Sequence, residues 1–158
     1  MTVATSPPST PAGLRIPPPT YQLLGAELLE AAEGRARVRF IPGPETANPA
    51  GLVQGGILAA CLDDVMGPAV FSLGREGFFV TVSMSVSFLG KAVPGGALVG
   101  EATVVRAGRR HLFVEARLVR ELELRLGADG RRHRSGDVDA DHLREASAAL
   151  VLLQVEGE

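Results

Sequence analysis

The stretch GGILAACLDDVMGPAVFS, residues 55 to 72, decides how the rest of the chain is read. Ile57, Leu58, Cys61, Leu62, Val65 and Met66 recur at helical spacing, and the sides between them are mostly Ala and Gly. A helix apolar on nearly all faces is expected inside a fold, not laid on its surface. Pro68 is expected to kink or end it, since proline removes a helical N–H and crowds the preceding turn. Asp63 and Asp64 are the only charged residues in the run.

Strand signals lie on both sides. Upstream, residues 25–32 and 34–41 flank Glu33-Gly34, a pair suited to a tight reversal. Arg35, Arg37 and Arg39 alternate there with Ala36, Val38 and Phe40, the period of a half-buried strand. Pro42 and Pro44 end the pattern. Downstream, residues 79–89 place Val80, Val82, Met84, Val86 and Phe88 on one face and Thr81, Ser83, Ser85 and Ser87 on the other. Residues 97–106 and 111–124 read as two further strands joined around Gly108, and 146–155 as a last one. The polar, turn-rich segment 127–143 is expected to be an excursion loop. A hairpin, one buried helix and about four successive strands predict an α+β domain whose antiparallel sheet curls around the helix. That domain is assigned to residues 20–158. Residues 1–19 hold six prolines among Ser, Thr and Ala and are expected to form a disordered tail.

Composition narrows the function. The 158 residues are 46% hydrophobic and 22% charged, enough for one packed domain. Sixteen Lys and Arg against 18 Asp and Glu leave no basic excess for a nucleic-acid backbone. The single cysteine, Cys61, makes no intrachain disulfide, and its helical position reads as a small apolar filler. No run reaches the roughly 20 apolar residues of a membrane span, and the start of the chain has no secretory pattern. A cytoplasmic protein without a membrane is the expectation. His133 and His142 near Asp137, Asp139 and Asp141 lack metal-ligand spacing, so no metal site is expected.

The chemistry concentrates at Asn48-Pro-Ala-Gly-Leu-Val-Gln-Gly-Gly56. Gly55 and Gly56 would let a ligand approach the backbone closely, and the first N–H groups of a helix have no partner within it. With the helix dipole they suit a carbonyl oxygen becoming an oxyanion. Glycine pairs also open helices for packing alone. Asp63 is costly inside an apolar helix unless paired, hydrated or protonated, and functional sites carry that cost. For Asp64 the preferred reading is a backbone cap or a solvated helix edge. Eight residues separate Gly55 from Asp63 by about 12 Å along one helix, whereas a reacting carbonyl must lie about 3 Å from both groups. One subunit cannot supply both. If they cooperate, a second copy must, giving two sites per symmetric dimer.

This constellation resembles the hotdog-fold acyl-CoA thioesterases of the PaaI type. Their pattern is Asn, a short loop, Gly, two residues, His-Gly-Gly, then a helix with an acid nine residues after the His. Asn48, Gly51, Gly55, Gly56 and Asp63 fall at matching spacings, and the likeness continues through Val80–Leu89, Pro94-Gly95-Gly96 and Gly108-Arg109-Arg110. It implies the hotdog fold, with five to six strands wrapped around one long helix, and an active site across a dimer interface. Asp63 would be nucleophile or general base, and the other subunit's Gly55 N–H the oxyanion donor. Asn48 would position the carbonyl or the water, and Thr81 would stand near the acid. Gly56 and Gly67 would touch substrate in an apolar pocket bounded by residues 67–71 and 78–81. Gly108, Arg109 and Arg110 would meet the phosphates of coenzyme A, which is part of the substrate, so no separate cofactor is implied. Homodimers would pair into homotetramers. Gln54 stands where the family has His. It keeps a donor and an acceptor but cannot become a cation, which leaves a non-catalytic acyl-CoA-binding protein as the alternative and a purely structural dimer as a third.

Overall fold

The computed structural model describes residues 15–75, 77–121 and 145–156, the last as backbone. Residues 1–14 of the expected tail and the whole of the excursion loop, with His133 and His142, lie outside the described residues.

A short helix α1 (Thr20–Leu24) leads into the hairpin β1 (Glu27–Ala32) and β2 (Arg35–Phe40). Glu33 and Gly34 both take positive φ at the reversal, 50° and 77°, as the tight turn between twisted strands requires. The long helix α2 (Gly55–Phe71) follows, then β3 (Phe78–Phe88), β4 (Leu98–Ala107), β5 (His111–Arg120) and β6 (Glu145–Glu156). They form one antiparallel sheet in the order β1-β2-β4-β5-β6-β3. The sheet wraps α2. Leu58, Cys61, Leu62, Val65, Met66, Ala69 and Val70 of the helix are buried with Val38, Phe40, Leu98, Ala102, Leu112, Val114 and Leu118 of the strands.

The predicted α+β hotdog architecture is present, with three corrections. First, α2 is not buried on all sides. The sheet leaves part of its surface uncovered, where Gly56, Asp63 and Gly67 are exposed along one row. Second, Pro68 neither breaks nor ends the helix, which continues to Phe71. It sits in the last turn, where Ser72 closes the end by donating from its N–H to the Pro68 carbonyl and from Oγ to the Ala69 carbonyl.

Third, the alternation of β3 is broken by a register shift between Thr81 and Ser83. Beyond it, Met84 and Val86 lie across β6 from buried Val114 and Ala116. Before it, Thr81 lies across Leu153 from Leu112, another core residue. Thr81 therefore shares the helix-facing side with Met84 and Val86, whereas Val80 shares the outer side with His111 and Ser83. A bulge adds one residue and reverses every face on one side of it.

The outer face of the sheet carries matched charges. Glu101 of β4 bridges Arg37 of β2 at 3.2 Å and Arg117 of β5 at 2.7 Å, and Arg39 pairs with Glu121 at 2.6 Å. Among the described residues, no helix is long and apolar enough to cross a membrane.

Candidate active site

The loop before α2 is shaped by Asn48. Its side-chain Oδ1 accepts the N–H groups of Ala50 (2.9 Å) and Leu52 (3.1 Å), and its backbone N–H donates to the Leu52 carbonyl at 2.7 Å. Two donors on one atom identify it as the amide oxygen. What Asn48 has left to offer a ligand is therefore its NH2 group, a donor suited to a carbonyl oxygen.

Gln54 is the N-cap of α2. It is extended at φ −63° and ψ 140°, and its side chain makes no cap bond. Its backbone carbonyl takes the N–H groups of Ile57 and Leu58. The N–H groups of Gly55 and Gly56 have no partner among the described residues. They are the open donors at the positive end of a 17-residue helix. A side chain at Gly55 would press on the ring of Phe88, whose nearest atom would lie 3.3 Å from a Cβ. Phe88 thus stands beside the helix start while remaining exposed. The sequence showed Phe88 only as one of an apolar row; its contact with the glycine depends on the sheet closing over the helix.

Two turns further along, Asp63 accepts a hydrogen bond of 2.6 Å from the Thr81 hydroxyl at Oδ1. That length fits a hydroxyl donating to a carboxylate. The bulge is what makes the pairing possible, because it turns Thr81 toward the helix. Within the single chain Asp63 is exposed, contrary to the expectation of a buried acid, because it sits at the margin of the sheet's cover, against the edge strand β3. Asp64 departs from its expected role too. It neither caps backbone nor projects into solvent. Oδ1 accepts from the Thr20 hydroxyl of α1 at 3.1 Å, and Oδ2 is buried without a partner. Desolvation raises its pKa above the ordinary carboxylate value, and the charge of Asp63 adds to the rise, while the Thr20 bond opposes it.

Burial pushes the Cys61 thiol up to about 12, with the Asp64 charge adding to it. A thiol so disfavoured as thiolate is a packing group and no nucleophile. Gly67 is exposed on the same helix face as Asp63. Gly108, Arg109 and Arg110 form the exposed turn between β4 and β5, where the Gly108 N–H donates to the His111 carbonyl at 2.9 Å. Sequence reasoning missed Arg75, which follows α2 and donates from Nη1 to the Gly108 carbonyl at 2.7 Å. No described group of His, Cys, Asp and Glu side chains could hold a metal ion.

The chain thus brings Asp63 and Thr81 together and sets the Asn48–Gly56 loop apart from them. Residues 50–125 match the family model described as Thioesterase superfamily. That segment of the chain is similar to the thioesterase superfamily. A protein named "Putative esterase" from Archaeoglobus fulgidus is 31% identical over 90 residues, 57% of each chain. The aligned part therefore spans less than two thirds of that relative's length. One of the same description from Mycobacterium tuberculosis is 28% identical over 107 residues, covering 65% of this chain and 76% of that one. Among solved structures, a phenylacetic acid degradation-related protein from Ralstonia eutropha is 27% identical, with a TM-score of 0.66 and coverage of 87% and 90%. The E. coli PaaI protein of the phenylacetic acid degradation operon superposes with a TM-score of 0.69 at 16% identity, covering 87% of this chain and 84% of that one. A hypothetical thioesterase protein from Streptococcus pneumoniae, solved with coenzyme A, gives 0.68 at 20% identity, with 87% and 91% covered. The chain is similar to these structures, PaaI among them, in its hotdog architecture.

Proposed function

We propose that the protein is a cytoplasmic acyl-CoA thioesterase, cleaving the thioester to a carboxylic acid and free coenzyme A at sites shared between two subunits. The observation that carries this reading is the Thr81–Asp63 hydrogen bond. It fixes an acid on the open face of α2, while the unpaired Gly55 and Gly56 N–H groups lie about 12 Å away along the same helix. A second copy placed against that face brings its own glycine donors to the acid. Thr81 occupies Oδ1 and leaves Oδ2 to take the proton of a water as it attacks the carbonyl carbon. The carbonyl oxygen gains negative charge, which the partner's Gly55 N–H and helix dipole stabilise. The C–S bond then breaks, and the departing thiolate is protonated on release. In the nucleophilic variant Oδ2 itself attacks, and water hydrolyses the acyl–Asp63 anhydride.

β3 supports a symmetric partner. It is an edge strand of 11 residues with Phe78, Val82 and Phe88 exposed, and an edge of that length invites pairing with another chain. The homodimer, and the homotetramer built from it, belong to this proposal. Gln54 supports a second reading, a protein that binds acyl-CoA without turnover, because its free amide cannot supply a cation.

Hydrolysis of an acyl-CoA panel tests both. Asp63→Asn, which keeps the size and loses the base, is expected to lower kcat by about 100-fold or more while acyl-CoA still binds. Gln54→His should leave activity within a few-fold. Unaltered turnover in Asp63→Asn would remove the acid from the reaction. Binding without turnover by the wild type, with hydrolysis gained only in Gln54→His, would establish the second reading.

A further inference from the structure

Guanidinium groups gather at the β4–β5 turn without a matching acid. On the outer face of the sheet, Arg37, Arg39 and Arg117 each meet a glutamate at 3.2 Å or less. Arg75, Arg109 and Arg110 are exposed too and, like Arg35, Arg106 and Arg120, meet no carboxylate within 4.0 Å among the described residues; here, however, three of them adjoin one turn. Arg75 arrives from outside the hairpin, and its bond to the Gly108 carbonyl spans 33 residues of sequence. The turn's own closure is the single Gly108 N–H to His111 carbonyl bond. The Arg75 guanidinium, bonded to the carbonyl of the same glycine, is thus a second tie on this turn. It also adds a third positive charge to a place already carrying two, a repulsion that an anion would relieve.

The turn is well placed for the reaction. Leu112, two residues past Arg110, stands in the same row of the sheet as Thr81, with Leu153 of β6 between them. Two strand spacings, about 10 Å, separate that row position from the hydroxyl that holds Asp63. A ligand with its thioester at Asp63 and its phosphates at the turn would lie along one end of one sheet.

We propose that Arg75 is the positioning residue of a phosphate-binding turn, fixing the Gly108 carbonyl so that Arg109 and Arg110 are held ready for the phosphates of a coenzyme A thioester. This rests on the acyl-CoA reading given above. Arg75 acts through the turn, its guanidinium holding the Gly108 carbonyl with one N–H.

The test compares one acyl group carried on coenzyme A and on pantetheine, which lacks the nucleotide phosphates. Arg75→Met is expected to raise KM for the CoA thioester about tenfold, with kcat within twofold and KM for the pantetheine thioester unchanged. In an Arg109→Gln/Arg110→Gln background, the same step should add nothing. An unchanged CoA preference in Arg75→Met overturns the inference, and so does an equal rise in KM for both thioesters. A full effect persisting in the double-glutamine background overturns it as well, since Arg75 would then act by itself. If the wild type hydrolyses neither thioester, the acyl-CoA reading fails first, and with it the ground of this one.

Discussion

Asp64 holds one oxygen on the Thr20 hydroxyl and the other in a buried position with no partner. Burying half of an ionised carboxylate unsatisfied is unfavourable, so its proton is held more tightly in the folded chain than in the unfolded one. The consequence for stability has a definite sign. Below the unfolded carboxylate pKa both states are protonated, and Asp64 costs nothing electrostatically. As pH rises through the interval from the unfolded to the raised folded pKa, the unfolded chain ionises first and stability falls, leaving a constant penalty at neutral pH. Asp64→Asn retains an oxygen for Thr20 and removes the charge. Its Tm at pH 7 is expected to exceed the wild type's by a few degrees. The gain should shrink toward zero as pH is lowered past the ordinary carboxylate range. Thermal unfolding at pH 3.5, 5 and 7 measures this, and a gain independent of pH would show that the effect is packing and not charge.

At the scale of elements, the residue pattern reveals α2 and most of the strands, because helical and alternating spacings follow directly from which side chains must be buried. The acid and the glycine pair were legible for the same reason, as polar or minimal residues interrupting an apolar helix. The bulge in β3 was not. Val80, Val82, Met84, Val86 and Phe88 alternate without a break, and only the pairing with β6 shows that one residue is looped out after Thr81. Nor could Arg75 be found, since nothing in its neighbours announces the Gly108 carbonyl that it reaches. Long-range geometry decides both. The bulge makes a prediction about Thr81 that plain alternation would not: its hydroxyl belongs to the acid. Thr81→Val, similar in shape without the donor, should lower kcat about tenfold, while Thr81→Ser should recover most of it. Combined with Asp63→Asn, the Thr81→Val loss should largely vanish, because both act on one group. Steady-state kinetics on the three single variants and the double variant decide it. Fully multiplicative losses would mean that Thr81 works apart from Asp63.

At the scale of the whole molecule, the proposed reaction needs a second chain, because an acid and a pair of helix donors about 12 Å apart on one rigid helix cannot both reach one carbonyl. The exposed surface bearing Gly56, Asp63 and Gly67 has room for one: a Cβ at Gly56 or Gly67 would meet nothing within 4 Å. Complementation between two inactive variants tests the shared site directly. Asp63→Asn removes the base. Gly55→Pro removes the oxyanion N–H at a helix start, where proline is tolerated, and Gln54 already has the extended backbone that a following proline requires. Either variant alone should be nearly inactive with the overall fold intact, the exposed Phe88 ring shifting to admit the proline Cβ. In a mixed dimer, the Asp63 of the proline chain faces the Gly55 of the asparagine chain, and one of the two sites is whole. Random reassociation of equal amounts makes half the dimers mixed, so co-refolded protein is expected to recover about a quarter of wild-type activity. Sites built within single subunits would recover none, because every chain in the mixture then carries a broken site of its own.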